Sequence, residues 1–175
     1  IYTDYLNGEL LSDDETADIY DEVRKYLAEK GFRRYEVSNF ALSGFESKHN
    51  LNYWKRGEYI GLGVSASSFI DGRRFTNSFS IDEYCNAIIY NKNPEISSDV
   101  IEGEDACFEY IMLGLRTEKG IDVEKFNKEF GCDFKEKYAD VLKKKEKFID
   151  FDGKTLKIKP EYIYVQNDII LAFMK

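Results

Sequence analysis

Cysteine is scarce in this sequence and is not arranged for a local metal centre. The three thiols are separated by 22 and 25 residues, and no pair has the Cys-x-x-Cys spacing that closes a zinc or iron–sulfur site locally. They are Cys85, Cys107 and Cys132. An odd number of widely spaced cysteines is typical of reduced, mostly buried thiols, so the sequence predicts a cytoplasmic protein.

Long hydrophobic runs are absent as well. No apolar stretch approaches the roughly 18 to 20 residues that a membrane-spanning helix needs, and no charged-then-apolar leader opens the sequence. We therefore expect no membrane span. The chain starts at Ile1, within Ile-Tyr-Thr-Asp-Tyr-Leu rather than at a methionine, so we expect it to be the interior of a longer polypeptide.

Positive charge is in deficit, which weakens the case for a nucleic-acid partner. The formal net charge is −8, divided into −6 for residues 1–100 and −2 for residues 101–175. Binding a phosphate backbone requires Lys and Arg clustered on one face, and neither part provides that pattern, so nucleic acid is disfavoured. By contrast, 43% hydrophobic and 15% aromatic residues are ample for the packed core of one domain or two small ones.

The first third of the chain has the pattern of a helix followed by a strand. Ser12 is an N-cap residue with a carboxylate three positions later, and apolar residues then recur at helical spacing until Gly31. Residues 34–38 alternate and are rich in aromatic and β-branched types, which predicts a strand. A helix that leads into a strand is typical of the end of an α/β unit.

The middle of the chain predicts a hairpin, a helix and an exposed connection. Asp71-Gly72 separates two short apolar or aromatic runs, which indicates two strands joined by a primed turn. Ser80 caps a helix over residues 81–90. Residues 91–98, which include Pro94, are predicted to be an exposed connection and to contain the domain boundary.

The remaining residues predict three helices, a two-stranded hairpin and a last helix. A nearly all-apolar helix begins at Glu104 and is ended by Gly120. The further elements are helices over 123–130 and 134–147, strands over 148–151 and 156–158 joined at Asp152-Gly153, and a helix from Pro160 to Phe173. This order describes a winged-helix-like domain. The sequence therefore predicts an α+β fold with two domains, residues 1–98 and 99–175.

The only histidine and the only tryptophan lie five residues apart, in His49-Asn-x-x-Tyr-Trp54. Imidazole is a common metal ligand, and Tyr and Trp rings pack on planar ligands. In a helix His49 and Tyr53 share one face, and Asn50 and Trp54 share another. The alternative is structural: His49 and Asn50 cap or brace the turn while Tyr53 and Trp54 fill the core.

A pair of glycines, Gly61 and Gly63, lies shortly after this motif. Glycines allow the backbone to approach a ligand or another strand closely, so they are candidate cofactor-binding residues. Tight strand packing is an equally good explanation of the same pattern, because a lone Gly-x-Gly is a weak signal.

Five motifs occur in a fixed order along the chain. They are Glu36-Val-Ser-Asn-Phe-Ala41, His49-Asn-x-x-Tyr-Trp54, Tyr59-Ile-Gly-Leu-Gly63, Tyr110-x-x-Leu-Gly-Leu-Arg116 with Gly120, and the ending from Lys159-Pro160 to Asn167. Together they resemble the oxygen-independent coproporphyrinogen III oxidase-like radical S-adenosylmethionine family, and most closely its heme chaperone branch (HemW). The resemblance covers nearly all 175 residues but corresponds only to roughly the carboxyl-terminal half of such a protein.

The resemblance implies cofactors that this chain is not expected to bind by itself. Family members bind a 4Fe–4S cluster through Cys-x-x-x-Cys-x-x-Cys, and one open iron takes S-adenosylmethionine. The cysteines here lack that spacing, so both cofactors are expected only in the intact protein. By resemblance, the first helix and strand close the family's incomplete barrel, whose amino-terminal half is the missing partner, and Gly61 and Gly63 lie on its cofactor side.

For the His–Trp motif the resemblance implies heme. The heme chaperone branch carries this motif, which makes His49 a candidate ligand of the heme iron, with Asn50, Tyr53 and Trp54 as further cofactor-binding residues. Many members have a second histidine where this chain has Ser67, so this chain lacks that second ligand.

Two functions remain open from the sequence. In the first, the chain is the non-catalytic carboxyl-terminal portion of a protein that binds heme or porphyrin, shields the radical site and contacts a heme-acceptor protein. Whether the intact protein is an oxidase or a heme chaperone stays open. In the second, the chain is a winged-helix module that binds protein or nucleic acid, and the His–Trp segment is purely structural.

Overall fold

The computed structural model describes residues 11–174, which contain both helices and strands. The helices are α1 (Asp13–Glu29), α2 (Lys48–Trp54), α3 (Ile81–Ile89), α4 (Gly103–Gly114), α5 (Val123–Phe130), α6 (Phe134–Lys137), α7 (Ala139–Lys145), the 3₁₀ helix Pro160–Val165, and α8 (Gln166–Leu171). The strands are β1 (Arg33–Arg34), β2 (Phe40–Ala41), β3 (Ser67–Ile70), β4 (Arg73–Asn77), β5 (Glu95–Val100), β6 (Ile121–Asp122), β7 (Ile149–Phe151) and β8 (Thr155–Ile158). The chain separates into two compact units, residues 1–46 and 47–175.

The first unit is built around α1, which begins with a complete capping box. The Glu15 amide donates to the Ser12 hydroxyl at 3.2 Å, and the Ser12 amide donates to the Glu15 carboxylate at 2.9 Å. Gly31, at φ +87°, follows the helix end. The predicted first helix is therefore confirmed, because both of its ends are encoded by local hydrogen bonds and backbone preference.

The strand predicted over residues 34–38 was wrong in extent. The chain forms a two-residue pair, β1 with β2, and turns between them. Within this turn the side-chain amide of Asn39 donates to the Glu36 carboxylate, and the backbone amide of Tyr35 donates to the backbone carbonyl of Asn39 at 3.1 Å. Local bonds of this kind compete with extended pairing, which is why the alternating pattern did not continue as a strand.

The second unit contains the predicted hairpin of β3 and β4. Asp71 and Gly72 both have positive φ, 50° and 71°, as a type I′ turn requires. The prediction of an exposed connection over residues 91–98 was wrong in part, because β5 pairs antiparallel with β4 from Arg73↔Val100 to Asn77↔Glu95. This strand is mostly exposed and polar, so it lacks the alternation that would have revealed it. The domain boundary predicted after residue 98 lies inside β5.

Helix α3 is confirmed within one residue, and the Glu83 amide donates to its N-cap Ser80 at 3.3 Å. Helix α4 ends earlier than predicted, at Gly114 rather than near Gly120. The Thr117 hydroxyl donates to the Gly114 carbonyl at 2.8 Å and accepts from the Gly120 amide at 3.1 Å, which closes a turn beyond the helix.

The next helices follow the prediction in part. Helix α5 is confirmed, with the Lys125 amide donating to Asp122 at 2.9 Å and Gly131 at φ +64°. The helix predicted over 134–147 is interrupted at Tyr138, which has φ −115° and ψ 19° and is 1% exposed. The backbone leaves the helical range at this buried residue, so α6 and α7 are separate helices.

A second three-stranded sheet, in the order β6-β8-β7, shares a hydrophobic core with the carboxyl-terminal helices. The predicted hairpin of β7 and β8 is confirmed, and β6 adds a strand that the sequence analysis did not predict. Asp152 accepts from the amides of Lys154 and Thr155 at 2.8 and 2.7 Å, which stabilises the hairpin turn. The predicted last helix is a 3₁₀ helix followed by α8.

The core of this unit is aromatic and lies among α4, α5, α6, α8 and the second sheet. Phe126 is fully buried and its ring centroid lies 4.7 Å from that of Phe130 and 5.0 Å from that of Phe134. Phe134 in turn packs on Phe173. Aromatic pairs at these separations stabilise a core beyond the area they bury. Among the residues described, no helix is long and apolar enough to span a membrane.

Candidate functional site

The His–Trp motif forms the short helix α2. The hydroxyl of Ser47, its N-cap residue, accepts from the Asn50 amide at 3.2 Å. The helix ends at Trp54 with Lys55 as its C-cap residue, and Arg56 then adopts φ 55°, in the left-handed region. Because Ser47 is the capping side chain, neither His49 nor Asn50 caps the helix as the structural alternative supposed.

The motif residues divide between two faces of α2, as the helical spacing predicts. His49 and Tyr53 are exposed, and their ring centroids lie 4.8 Å apart at 86°, an edge-to-face contact. Asn50 and Trp54 are half-buried on the other face. The structure therefore brings His49 and Tyr53 together and places Trp54 on another face of the helix.

The exposed side of α2 is basic. Lys48 and Lys55 are exposed there, and residues 47–57 contain no carboxylate, although the whole chain has a net charge of −8. Within residues 11–174 neither lysine forms an ion pair. The exposed lysines of α2 therefore favour a ligand that carries negative charge.

The position of α2 is set by a buried ion-pair network that the sequence analysis missed. Arg56 is 11% exposed, and its Nε and Nη1 donate to Glu109 at 2.9 Å and Glu129 at 3.2 Å, while Nη2 donates to the Ile101 carbonyl at 3.1 Å. The second oxygen of Glu109 accepts from Arg74 at 2.6 Å. Glu109 lies 53 residues beyond Arg56, so no local pattern could have revealed the pair.

The two candidate glycines are favoured at their positions for different structural reasons. A Cβ at Gly61 would overlap the Ser67 carbonyl oxygen, so this glycine permits close approach to a neighbouring backbone. Gly63 has φ +107° and open space where a Cβ would lie. Its amide donates to the Tyr84 hydroxyl at 3.1 Å, and its carbonyl accepts from Asn77 at 2.9 Å. Cofactor binding by Gly61 and Gly63 stays a prediction.

The described residues do not fit an iron–sulfur cluster. Cys85 is exposed on α3, Cys107 is buried on α4, and Cys132 is half-buried beyond α5. Burial raises the pKa of the Cys107 thiol, which opposes the thiolate form that a metal needs. Residues 11–174 contain no group of three or more His, Cys, Asp or Glu side chains that could hold a metal ion.

Heme iron needs fewer protein ligands than an iron–sulfur cluster does, so the single imidazole of His49 fits heme better than it fits a cluster. A single accessible imidazole can occupy one axial position. Ser67, the position at which many family members have a second histidine, is exposed in β3. Its hydroxyl lies 3.0 Å from that of Thr76. The described residues therefore offer heme one imidazole and an adjoining aromatic ring, with an ammonium group at each end of α2.

Comparison with known proteins identifies relatives of the chain. Residues 101–163 match the family model described as the HemN C-terminal domain. The Heme chaperone HemW of Lactococcus lactis subsp. lactis (strain IL1403) is 40% identical over 133 residues, which cover 76% of this chain and 35% of that protein. The Heme chaperone HemW of Bacillus subtilis (strain 168) is 32% identical over 130 residues, covering 74% of this chain and 34% of that protein.

A solved structure has the same fold. The radical SAM enzyme coproporphyrinogen III oxidase (HemN) from Escherichia coli superposes with a TM-score of 0.74 at 18% identity, over 96% of this chain and 43% of that one. This similarity supports the α+β class and says nothing by itself about activity. The chain spans about a third of the length of the curated relatives above, 35% and 34%.

Proposed function

Because the chain belongs to the HemN-like radical SAM family, as a carboxyl-terminal portion of it, we propose that it binds heme on the exposed face of α2. His49 is the ligand of the heme iron. The intact protein is then a heme chaperone that passes heme to an acceptor protein, rather than a coproporphyrinogen oxidase. Identities of 40% and 32% to HemW proteins support this choice.

The observation that carries the proposal is the exposed face of α2. His49 is accessible, its ring is held edge-on by Tyr53 at 4.8 Å, and Lys48 and Lys55 are exposed at the two ends of the helix, which contains no carboxylate. Heme is flat and apolar with two carboxylates at one edge, so an imidazole, an aromatic ring and ammonium groups complement its three parts.

Each residue of the motif has a separate task in this proposal. His49 holds the iron through a neutral imidazole nitrogen, and Tyr53 restricts the orientation of the imidazole ring. Asn50 and Trp54 support the helix from its half-buried side. Gly61 and Gly63 shape the following loop, on the side that faces the cofactor in the intact protein.

The rest of the chain serves the intact protein. When bound, the 4Fe–4S cluster and S-adenosylmethionine supply radical chemistry from the amino-terminal half of the barrel, which residues 1–98 complete and shield. Residues 99–175 form a winged-helix-like domain, an assignment supported by the order α4, β6, α5, α6, α7, β7, β8. Three free thiols suit a reducing compartment such as the cytoplasm.

Titration with hemin tests the proposal. The protein is expected to shift the Soret band of hemin, and His49→Ala is expected to abolish that shift because the chain has no other imidazole. Asn86→Ala, an exposed position on α3, is the matched control and should bind as the unaltered protein does. The same Soret shift in His49→Ala as in the unaltered protein would contradict the assignment. A salt-sensitive DNA gel shift without hemin binding would favour the winged-helix interaction module.

A further inference from the structure

Helix α2 ends in a Schellman motif, a pair of backbone hydrogen bonds that closes the carboxyl-terminal end of a helix. The backbone amide of Arg56 donates to the Tyr53 carbonyl at 3.0 Å, and that of Gly57 donates to the Asn52 carbonyl at 2.8 Å. The motif places one residue in the left-handed region, and that residue is usually glycine. Here it is Arg56, at φ 55°. Arginine therefore occupies a backbone position that its own conformational preference disfavours.

Helix α3 ends in the same motif with a residue that suits it. The backbone amide of Asn91 donates to the Ile88 carbonyl at 3.1 Å, and that of Lys92 donates to the Ala87 carbonyl at 2.7 Å. Asn91 is the left-handed residue, at φ 54°, and asparagine adopts this region more readily than most side chains do. Its side chain is exposed. Backbone preference thus explains Asn91 but not Arg56, so the reason for Arg56 lies in its side chain.

The side chain of Arg56 is 11% exposed and bonds to three groups from one part of the chain. Its Nε and Nη1 donate to the carboxylates of Glu109 and Glu129 at 2.9 and 3.2 Å, and its Nη2 donates to the Ile101 carbonyl at 3.1 Å. These partners lie on α4, on α5 and just before α4, all within residues 101–163, the part that matches the HemN C-terminal domain. A guanidinium directs separate N–H groups at three such acceptors, whereas an ammonium is a point charge.

We infer that Arg56 is a positioning residue for His49. It ties the end of α2 to α4 and α5, and His49 lies about two helical turns before it, so the imidazole has one direction relative to residues 101–163. This inference rests on the proposed heme binding, because it assigns a role toward the same imidazole. A ligand that is held in advance loses less freedom when heme binds, so the affinity rises.

The experiment measures hemin binding by the intact protein and by variants of it. Arg56→Gly suits the left-handed backbone and removes every guanidinium bond, so about tenfold weaker binding is expected. Arg56→Lys retains the charge but not the planar fork, and its affinity should lie between those of Arg56→Gly and the unaltered protein. Glu129→Gln weakens one bond only, at a side chain that is 32% exposed. It should bind hemin about threefold more weakly.

Asn91→Gly is the matched control, because it makes the same kind of change at the same position of the same motif in α3. It should bind hemin as the unaltered protein does. The double variant Arg56→Gly with Glu129→Gln should be no weaker than Arg56→Gly, because both changes break one link. Resonance Raman spectra of the ferrous complexes should show a shifted iron–histidine stretch in Arg56→Gly and Glu129→Gln, and the native stretch in Asn91→Gly.

The outcomes separate this inference from the proposed function. If His49→Ala leaves hemin binding unchanged, the proposed function fails and the inference with it. If His49→Ala abolishes binding but Arg56→Gly and Glu129→Gln leave the iron–histidine stretch unchanged, only the positioning role is overturned, even where the affinity falls. An equal loss of affinity in Asn91→Gly would also overturn it. Glu129→Gln leaves the Arg56–Glu109 pair intact, so it tests the anchor even if Arg56→Gly does not fold.

Discussion

At the scale of single residues, Glu109 is a buried carboxylate that two arginines share. It is 8% exposed, and its two oxygens accept from two different guanidinium groups, those of Arg56 and Arg74. A buried charge of this kind is stable only while its partners are present. The carboxylate therefore matters for the folding of the unit as well as for the placement of α2.

Glu109→Gln is expected to be strongly destabilising. It keeps the shape of the side chain but removes the charge that two arginines share, and breaking a buried pair costs on the order of 3 kcal/mol in free energy of unfolding. Glu104→Gln, which breaks the 2.5 Å pair between Lys137 and the 58% exposed Glu104, is the control and should cost less than about 1 kcal/mol. Urea unfolding measures both, and similar losses would contradict the assigned importance of Glu109.

At the scale of elements, α2 shows how a short helix can carry different chemistries, with an imidazole and a phenol on one face and an ammonium group at each end. Seven residues provide an imidazole, a phenol ring and an ammonium group, with a second ammonium group at the C-cap residue. A helix of this length is not stable alone. Its geometry depends on Ser47 at one end and on the buried Arg56 beyond the other.

The exposed lysines at the two ends of α2 predict that hemin binding depends on the carboxylates of hemin. Lys48→Gln combined with Lys55→Gln should weaken hemin binding about fivefold and reduce its salt dependence, because two ion pairs to the propionates are lost. Binding of hemin dimethyl ester, which has no free carboxylates, should not change. The control is Lys119→Gln with Lys144→Gln, two exposed positions with the same total change in charge. Equal losses for both ligands would exclude a propionate role.

At the scale of the whole molecule, buried phenols make the stability of the carboxyl-terminal core depend on pH. Burial, with smaller contributions from the charges of Asp122 and Glu129, raises the pKa of Tyr110 to about 12. Burial also raises the pKa of Tyr138. The Tyr110 hydroxyl donates to the Asp122 carbonyl at 3.0 Å, so ionisation would also break a hydrogen bond inside the core.

The sign of the pH effect follows from proton linkage. In the unfolded chain a phenol ionises near its ordinary pKa of about 10, before the folded one does. The stabilising contribution of Tyr110 is therefore complete below pH 10 and is lost as pH rises from 10 toward 12. We expect the free energy of unfolding to fall over that window, and the fall should be smaller in Tyr110→Phe. An equal alkaline loss in both proteins would contradict this role.

The sequence predicted most elements whose ends are encoded locally. Helix α1 follows from Ser12 and Glu15, α5 follows from Asp122 and Gly131, and the β3–β4 turn follows from Asp71-Gly72. Each of these signals acts over about four residues, within the range where backbone preference and capping decide conformation. The predicted extents of the strand near residue 34 and of α4 were wrong because nearby side chains formed hydrogen bonds that compete with these elements.

By itself the sequence determined the shared exposed face of His49 and Tyr53 and the spacing of its cysteines, because both depend only on distance along the chain. Only the tertiary structure decided that β5 completes a sheet and that Arg56, Glu109 and Arg74 meet behind the motif. Those contacts join residues 18 to 53 positions apart, so they form only once the elements pack, and the pairs with Glu109 depend on the burial that packing creates.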